Sequence, residues 1–168
     1  RQFWFQSEKT GYAHLYLYSL TDKVTTALTA GDYEVQSAQL STDKKYFYIS
    51  TNEVHPGEQQ FYRLTISNKK KERLTKMTGA NQVTLSPDEK KLAILYSYSN
   101  KPWELYLQDN KPAADPVQIT TQATSSEFLN YDWRVPELIT FKARDGATVY
   151  GRLYQPKTPA ASKPAVIF

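Results

Sequence analysis

LSPDEKKLAILY, residues 85–96, repeats an earlier stretch, LSTDKKYFYI, residues 40–49. In both, a Ser-x-Asp turn and a lysine pair precede aliphatic or aromatic residues, as expected where a turn delivers the chain into a strand. A second marker keeps the same period, because Leu28-Thr29, Leu74-Thr75 and Ile119-Thr120 follow one another at intervals of 46 and 45 residues. A period of this length is typical of the blade of a β-propeller.

A third repeated element precedes each of these pairs, at residues 15–18, 61–64 and 104–107, the last displaced by a proline-containing insertion at 111–116. These segments carry apolar or aromatic residues on both faces, as expected for a sheet packed between two neighbours. The sequence therefore predicts an all-β chain with a partial β-propeller of roughly three antiparallel blades. The segments around Leu15, Phe61 and Leu105 should lie on equivalent strands.

The C-terminal part of the chain has a different pattern. Residues 138–141 and 148–154 alternate in polarity around Asp145-Gly146, which predicts a β-hairpin. A stretch rich in proline and alanine follows at 156–164. The apolar residues 165–168 then predict the start of another strand.

Composition and charge exclude several classes of protein. The chain of 168 residues has no cysteine, which excludes disulfides, thiolate metal sites and a cysteine nucleophile but leaves the compartment open. Its net charge is +4, and its densest basic run, Lys69 to Lys71 with Arg73, follows a Ser-Asn turn. We interpret that run as a solvated hairpin tip and predict no nucleic-acid partner. No stretch has the roughly 20 apolar residues of a membrane span.

Four segments occur in an order that resembles a known family. They are SEKTGYAHLY at residues 7–16, TAGDYEV at 29–35, STNE at 50–53 and LSPD at 85–88. Together they resemble the dipeptidyl peptidase IV branch of the prolyl oligopeptidase family of serine peptidases. TAGDYEV is similar to the family's Thr-x-Gly-x-Trp-Glu-Val segment, with Tyr33 in place of the usual tryptophan.

The hairpin at Asp145-Gly146 and residues 153–167 are similar to the family's entry into its α/β-hydrolase domain. The resemblance implies that residues 1–136 are the C-terminal blades of the propeller. Residues 137–168 would be the linker hairpin and first strands of a truncated hydrolase domain. The opening residues RQFWF, a strand pattern without a methionine, fit a chain cut from a larger protein.

The resemblance also implies the function of a parent protein. That protein would be a secreted or periplasmic bacterial serine exopeptidase, a dipeptidyl or tripeptidyl peptidase directed at proline, without a cofactor. Its partners would be peptides with an N-terminal X-Pro or X-Ala, the other propeller blades, the hydrolase domain and a second copy in a homodimer. This chain would supply the non-catalytic part that gates substrate access.

The sequence offers no residues for the chemistry itself. It lacks the Gly-x-Ser-x-Gly motif that holds the nucleophile of such hydrolases. We expect its two histidines, His14 and His55, to be structural or solvent-facing. In this family the acidic pair that binds the substrate's amino terminus lies earlier in the propeller. Glu34 is therefore expected to be a blade-edge residue and Glu53 a loop acid.

Metal and stacking sites are not expected either. Asp43 and Asp88 occupy matching turn positions and are interpreted as turn formers. Trp4, Trp103 and Trp133 are expected to pack in the core rather than to form a stacking platform. We predict that the chain has no catalytic, substrate-binding or metal-binding residue and is inactive alone.

One alternative belongs to another class of protein. Propellers with Ser-Pro-Asp-Gly repeats also serve as non-catalytic interaction platforms in the periplasm. The hairpin at residues 138–154 favours the peptidase, because such a platform has no need to end in the entry to a hydrolase domain.

Overall fold

Strands form most of the regular structure in residues 1–162 and 164–167, which are the residues that the computed structural model describes. The chain divides into two units, Arg1–Ala123 and Thr124–Phe168. The strands of the first unit are β1 (Gln2–Ser7), β2 (His14–Ser19), β3 (Val24–Ala27), β4 (Val35–Leu40), β5 (Tyr46–Thr51), β6 (Gln60–Thr65), β7 (Lys71–Arg73), β8 (Ala80–Leu85), β9 (Lys91–Tyr98), β10 (Lys101–Asp109) and β11 (Val117–Gln118).

These strands form three antiparallel sheets in chain order. Sheet one is β1-β2-β3, sheet two is β4-β5-β6-β7, and sheet three is β8-β9-β10-β11. The segments around Leu15, Phe61 and Leu105 lie on β2, β6 and β10, each paired with the short outer strand of its own sheet. The predicted all-β, partial-propeller architecture is therefore confirmed.

Alternating side chains of sheet two pack against both neighbouring sheets. Phe47 and Ile49 of β5 are buried in a cluster with Leu15 of sheet one. Tyr48, which lies between them, belongs to a second cluster with Leu92 and other residues of sheet three. Since successive residues of a strand point to opposite faces, this arrangement explains why the strand has no polar face.

The Ser-x-Asp turns have the same hydrogen bonds in both copies. The Ser41 hydroxyl donates to Asp43 over 2.7 Å and accepts from the Tyr46 N–H. The Ser86 hydroxyl donates to Asp88 over 2.6 Å and accepts from the Lys91 N–H. The prediction that Asp43 and Asp88 form turns is confirmed.

The second unit contains a short helix, α1 (Ser126–Asn130), and the predicted hairpin of β12 (Glu137–Lys142) and β13 (Thr148–Leu153). The hairpin turn brings the Gly146 N–H within 3.0 Å of the Ala143 carbonyl, with Gly146 at a φ of 86°. Such a positive φ favours glycine, which explains the Asp-Gly signal. The sequence pattern did not indicate α1.

The strand predicted at residues 165–168 is wrong for residues 165–167, which have no strand pairing. Its last residue, Phe168, lies outside the described residues, as does Lys163 of the segment that resembles a hydrolase entry. The apolar side chains of Val166 and Ile167 are 85% and 95% exposed, so these residues lack the neighbouring strand that their pattern needs.

Candidate functional site

Each sheet of the first unit contains the same polar contact, which we call the threonine bridge; it is buried in sheets one and two and partly buried in sheet three. The threonine of each repeated pair follows the outer strand, and its hydroxyl accepts the N–H of a residue on the neighbouring strand. The three bonds are Leu15 to Thr29 at 2.9 Å, Phe61 to Thr75 at 2.8 Å, and Leu105 to Thr120 at 2.9 Å. The period of the sequence is therefore the period of this contact.

The threonine hydroxyl also meets a buried side chain, and in sheet two this side chain is Gln60. Thr75 donates to the Gln60 carbonyl oxygen over 2.8 Å, and the Gln60 amide donates to the Met77 carbonyl over 2.9 Å. Gln60 is 1% exposed. Because a buried polar group without a partner is costly, the threonine and glutamine stabilise each other's burial.

His14 occupies the matching position in sheet one. Its Nε2 lies 2.9 Å from the Gly31 carbonyl, and its Nδ1 lies 3.1 Å from the Thr29 hydroxyl. A carbonyl can only accept, so this geometry assigns the proton of a neutral ring to Nε2 and lets Nδ1 accept from Thr29. In this tautomer the buried His14 ring makes the same two contacts as Gln60.

Glu104 occupies the same position in sheet three, but its side chain accepts both of its hydrogen bonds. Its carboxylate accepts from the Thr120 hydroxyl and, over 2.7 Å, from the Ala123 N–H. Here the backbone partner is a donor, whereas Gly31 and Met77 present carbonyl acceptors in the other two sheets. The acid therefore matches the only one of the three positions that requires two acceptors.

Ser41, Ser86 and His55 all take part in local hydrogen bonds. Ser41 and Ser86 donate to turn carboxylates, as described above. His55 lies in the loop after β5, where its Nδ1 accepts the Gly57 N–H over 3.0 Å. In a catalytic pair a serine hydroxyl would donate to a histidine nitrogen instead.

The turn hydrogen bonds also shift the acidity of the two aspartates. The Lys45 N–H and the Ser41 hydroxyl lower the pKa of Asp43 below 3.8. The Ser86 hydroxyl and the Lys90 N–H do the same for the pKa of Asp88. Both carboxyl groups therefore stay ionised at neutral pH, as a turn that uses carboxylate acceptors requires.

The carboxylates of Glu34 and Glu53 bind other groups of this chain. Glu34 accepts the Ala13 N–H over 2.6 Å and so connects sheet one to the start of β4. Glu53 forms an ion pair with Lys71. The Lys71 ammonium also donates to the Tyr33 hydroxyl over 3.0 Å and lies 4.3 Å from that ring's centre.

The interpretation of the basic run as a solvated tip is wrong for Lys71. Its side chain is only 19% exposed, because β7 places it against Tyr33 rather than at the end of the hairpin. Burial lowers its pKa, but the hydrogen bonds to Glu53 and Tyr33 outweigh this effect and raise the pKa above 10.5. Lys71 is therefore a charged group that joins β7 to Tyr33, in the segment between sheets one and two, and to Glu53 after β5.

The expectation that the tryptophans are core residues is also wrong. Trp4, Trp103 and Trp133 are 39%, 43% and 45% exposed. Trp4 does pack edge-on against Phe47, with ring centres 5.4 Å apart. A strand pattern alone does not tell which face is covered, so the prediction failed for these large side chains.

The absence of catalytic, substrate-binding and metal-binding residues stays a prediction. What sequence reasoning missed is the position shared by His14, Gln60 and Glu104. Its signal was a polar residue 15 or 16 residues ahead of each repeated threonine, directly before Leu15, Phe61 and Leu105. No helix in the described part of the chain is long and apolar enough to cross a membrane.

Comparison with known proteins identifies relatives of this sequence. Residues 1–103 match the family described as the dipeptidyl peptidase IV (DPP IV) N-terminal region. Three similar relatives are a probable dipeptidyl peptidase 4 of Arthroderma benhamiae and the dipeptidyl peptidases 4 of Trichophyton rubrum and Arthroderma otae. Each is 28% identical over 143 residues, or 82% of this chain. The chain spans 18% of the length of each of these relatives.

Proposed function

Because the chain belongs to the family of dipeptidyl peptidase IV N-terminal regions, we propose that it is the non-catalytic propeller part of a serine exopeptidase. The observation that carries this proposal is the family match over residues 1–103, which covers sheets one and two and most of sheet three. Residues 1–136 would be the last blades of the propeller, and residues 137–168 the entry to the hydrolase domain.

In this proposal the serine, histidine and aspartate of the hydrolase lie in the rest of the enzyme. The sheets described here form part of the wall of the cavity that leads to these catalytic residues. The cavity admits short peptides with an N-terminal X-Pro or X-Ala. Selection by size needs a rigid wall rather than a titratable group. The threonine bridges support this role, since they fix each outer strand to its neighbour through hydrogen bonds that are buried in two sheets and partly buried in the third.

Further features of the parent enzyme follow from the same proposal. It is a hydrolase of the prolyl oligopeptidase family, it acts in the periplasm or outside the cell, and it functions as a homodimer. No cofactor takes part, because acyl transfer by a serine, a histidine and an oxyanion hole needs none.

The full-length protein that contains this segment provides the test. Trp4→Ala removes the ring that packs on Phe47 between sheets one and two. It should weaken the contact between these sheets and leave the catalytic residues unchanged. We expect the variant to cleave a Gly-Pro chromogenic substrate at the normal kcat/KM. It should also cleave folded or long polypeptides that the natural enzyme rejects.

Thr26→Ala, on the exposed strand β3, is the matched control and should keep the size limit. Hydrogen exchange of β5 would verify that Trp4→Ala loosens the contact between the sheets. An unchanged size limit despite faster exchange would contradict the gating role. A full-length protein without exopeptidase activity would contradict the proposal as a whole.

A further inference from the structure

A buried carboxylate lies where the chain leaves sheet three. Glu104 is on β10 and is 7% exposed. One oxygen of its carboxylate accepts the Thr120 hydroxyl, and the other accepts the Ala123 N–H over 2.7 Å. Ala123 is the last residue of the first unit. The carboxylate therefore holds the end of this unit to β10, directly before the second unit begins.

The chain takes a different path after the threonine in the other two sheets. After Thr29 and Thr75 it runs on to the first strand of the next sheet, β4 or β8. The backbone group bound there lies two residues after the threonine and is a carbonyl, that of Gly31 or Met77. In sheet three the bound group lies three residues after the threonine and is an N–H. The acid thus occurs in the one sheet of the three from which the chain continues into the second unit.

Sheet three requires an acid at this position because two donors converge on it. A carboxylate accepts at both oxygens, whereas a glutamine amide and a neutral imidazole each combine one acceptor with a donor. Hydrogen bonds to an ionised acceptor are also roughly twice as strong as those between neutral groups. Glu104 therefore attaches the departing chain more firmly than the neutral side chains of the other two sheets could.

The chain between Thr120 and the hairpin of β12 and β13, residues 121–136, is called the junction. Its later part makes bonds of its own. The Ser125 hydroxyl accepts the Phe128 N–H at the start of α1. The Trp133 Nε1 donates to the Phe128 carbonyl over 2.9 Å. These bonds shape the junction internally, whereas the bond from Ala123 to Glu104 attaches it to a strand of sheet three.

We propose that Glu104 is a positioning residue that fixes the path of the chain from the blades to the hydrolase domain and so sets the size limit for substrates. This inference rests on the proposed function, in which the wall of the cavity belongs to the blades and the catalytic groups belong to the hydrolase domain. The passage between them depends on the segment that joins them. With the junction held by Glu104 the passage stays narrow, and with the junction released it admits larger substrates.

Glu104→Gln in the full-length protein that contains this chain tests the proposal. Hydrogen exchange of the junction should become roughly tenfold faster, because a hydrogen bond to a charged group is lost, while exchange of β5 stays unchanged. The ratio of kcat/KM for long polypeptides to kcat/KM for a Gly-Pro chromogenic substrate should rise. The kcat for the short substrate should stay the same, since the catalytic groups are untouched. Glu8→Gln, at an exposed position, controls for the lost charge.

A second variant covers the case in which Glu104→Gln does not fold. Ala123→Pro removes the N–H donor itself, because proline has none, and leaves the charge unchanged. It should release the junction and raise the size ratio as Glu104→Gln does. Ala123→Gly keeps the N–H and is the matched control. If the two residues act through one bond, the double variant of Glu104→Gln and Ala123→Pro should change the ratio no more than the stronger single variant.

The outcomes separate this inference from the proposed function. Normal cleavage of the short substrate with an unchanged size ratio, despite faster exchange of the junction, would overturn the inference alone. A ratio that rises equally in Glu8→Gln or Ala123→Gly would overturn it as well, as would additive effects of the two single variants. A full-length protein that cleaves no Gly-Pro substrate would contradict the proposed function, and the inference with it.

Discussion

The hydroxyl of Thr75 lies 2.8 Å from the side-chain carbonyl of Gln60, and both residues are only 1% exposed. The same hydroxyl accepts the N–H of Phe61, so it acts as donor and acceptor at once. Phe61 lies on the inner strand β6 of sheet two, whereas Thr75 lies two residues after the end of the outer strand β7. This single side chain therefore fixes the end of an outer strand that has only three residues.

Thr75→Val should destabilise the chain by about 1–3 kcal/mol, because it leaves the Phe61 N–H and the Gln60 carbonyl oxygen without partners in a buried site. Thr75→Ser keeps the hydroxyl and should lose less stability. Urea unfolding measures both effects, with Thr26→Val on the exposed strand β3 as the control. A Thr75→Val chain as stable as the control would show that the bridge contributes nothing.

His14→Gln should be tolerated, with a loss below about 1 kcal/mol, because glutamine makes the same two contacts in sheet two. His14→Leu has no polar atoms and should cost about 2 kcal/mol or more, since Thr29 loses its acceptor and the Gly31 carbonyl loses its donor. The difference in urea midpoint between the two variants is the measurement. Equal losses would contradict the assigned roles of the two ring nitrogens.

Glu104→Gln should be destabilising by about 1–3 kcal/mol, even though glutamine is the natural residue in sheet two. In either orientation of the new amide, one of the two donors around it, the Thr120 hydroxyl or the Ala123 N–H, loses its acceptor. Glu8→Gln, at an exposed position, controls for the loss of one negative charge. If both variants unfold at the same urea concentration, Glu104 does not act as a double acceptor.

Acid should weaken the two Ser-x-Asp turns. Their carboxyl groups have a pKa below 3.8, so the stability that they contribute is present above pH 3.8 and is lost as the pH falls further. Asp88→Asn removes one of these groups, and its deficit relative to the natural chain should be largest near neutral pH and shrink towards pH 2. Urea titrations across this range measure the deficit, and a constant deficit would contradict the account.

The period of the sequence predicted the three sheets because each sheet contains one threonine bridge, and the bridges recur at the same period. The bridge itself could not be predicted, since His14, Gln60 and Glu104 share a position but no residue type. The prediction failed for Lys71 because a basic run in a sequence suggests solvent exposure. Only the pairing of β7 with β6 shows that Lys71 lies against Tyr33. The strand at 165–168 was expected from apolar residues alone, and such residues form a strand only beside a partner.

The central claim is that this chain belongs to the wall of an exopeptidase and holds none of its catalytic groups. The direct measurement is release of a chromogenic group from Gly-Pro and Ala-Pro substrates, by this chain alone and by the full-length protein that contains it. Acyl transfer needs an activated serine and an oxyanion hole, so the chain alone should show no rate above background, whereas the full-length protein should hydrolyse both substrates. Activity of the chain alone that survives repurification and is lost on mutation of Ser41, Ser86 or His55 would contradict this account.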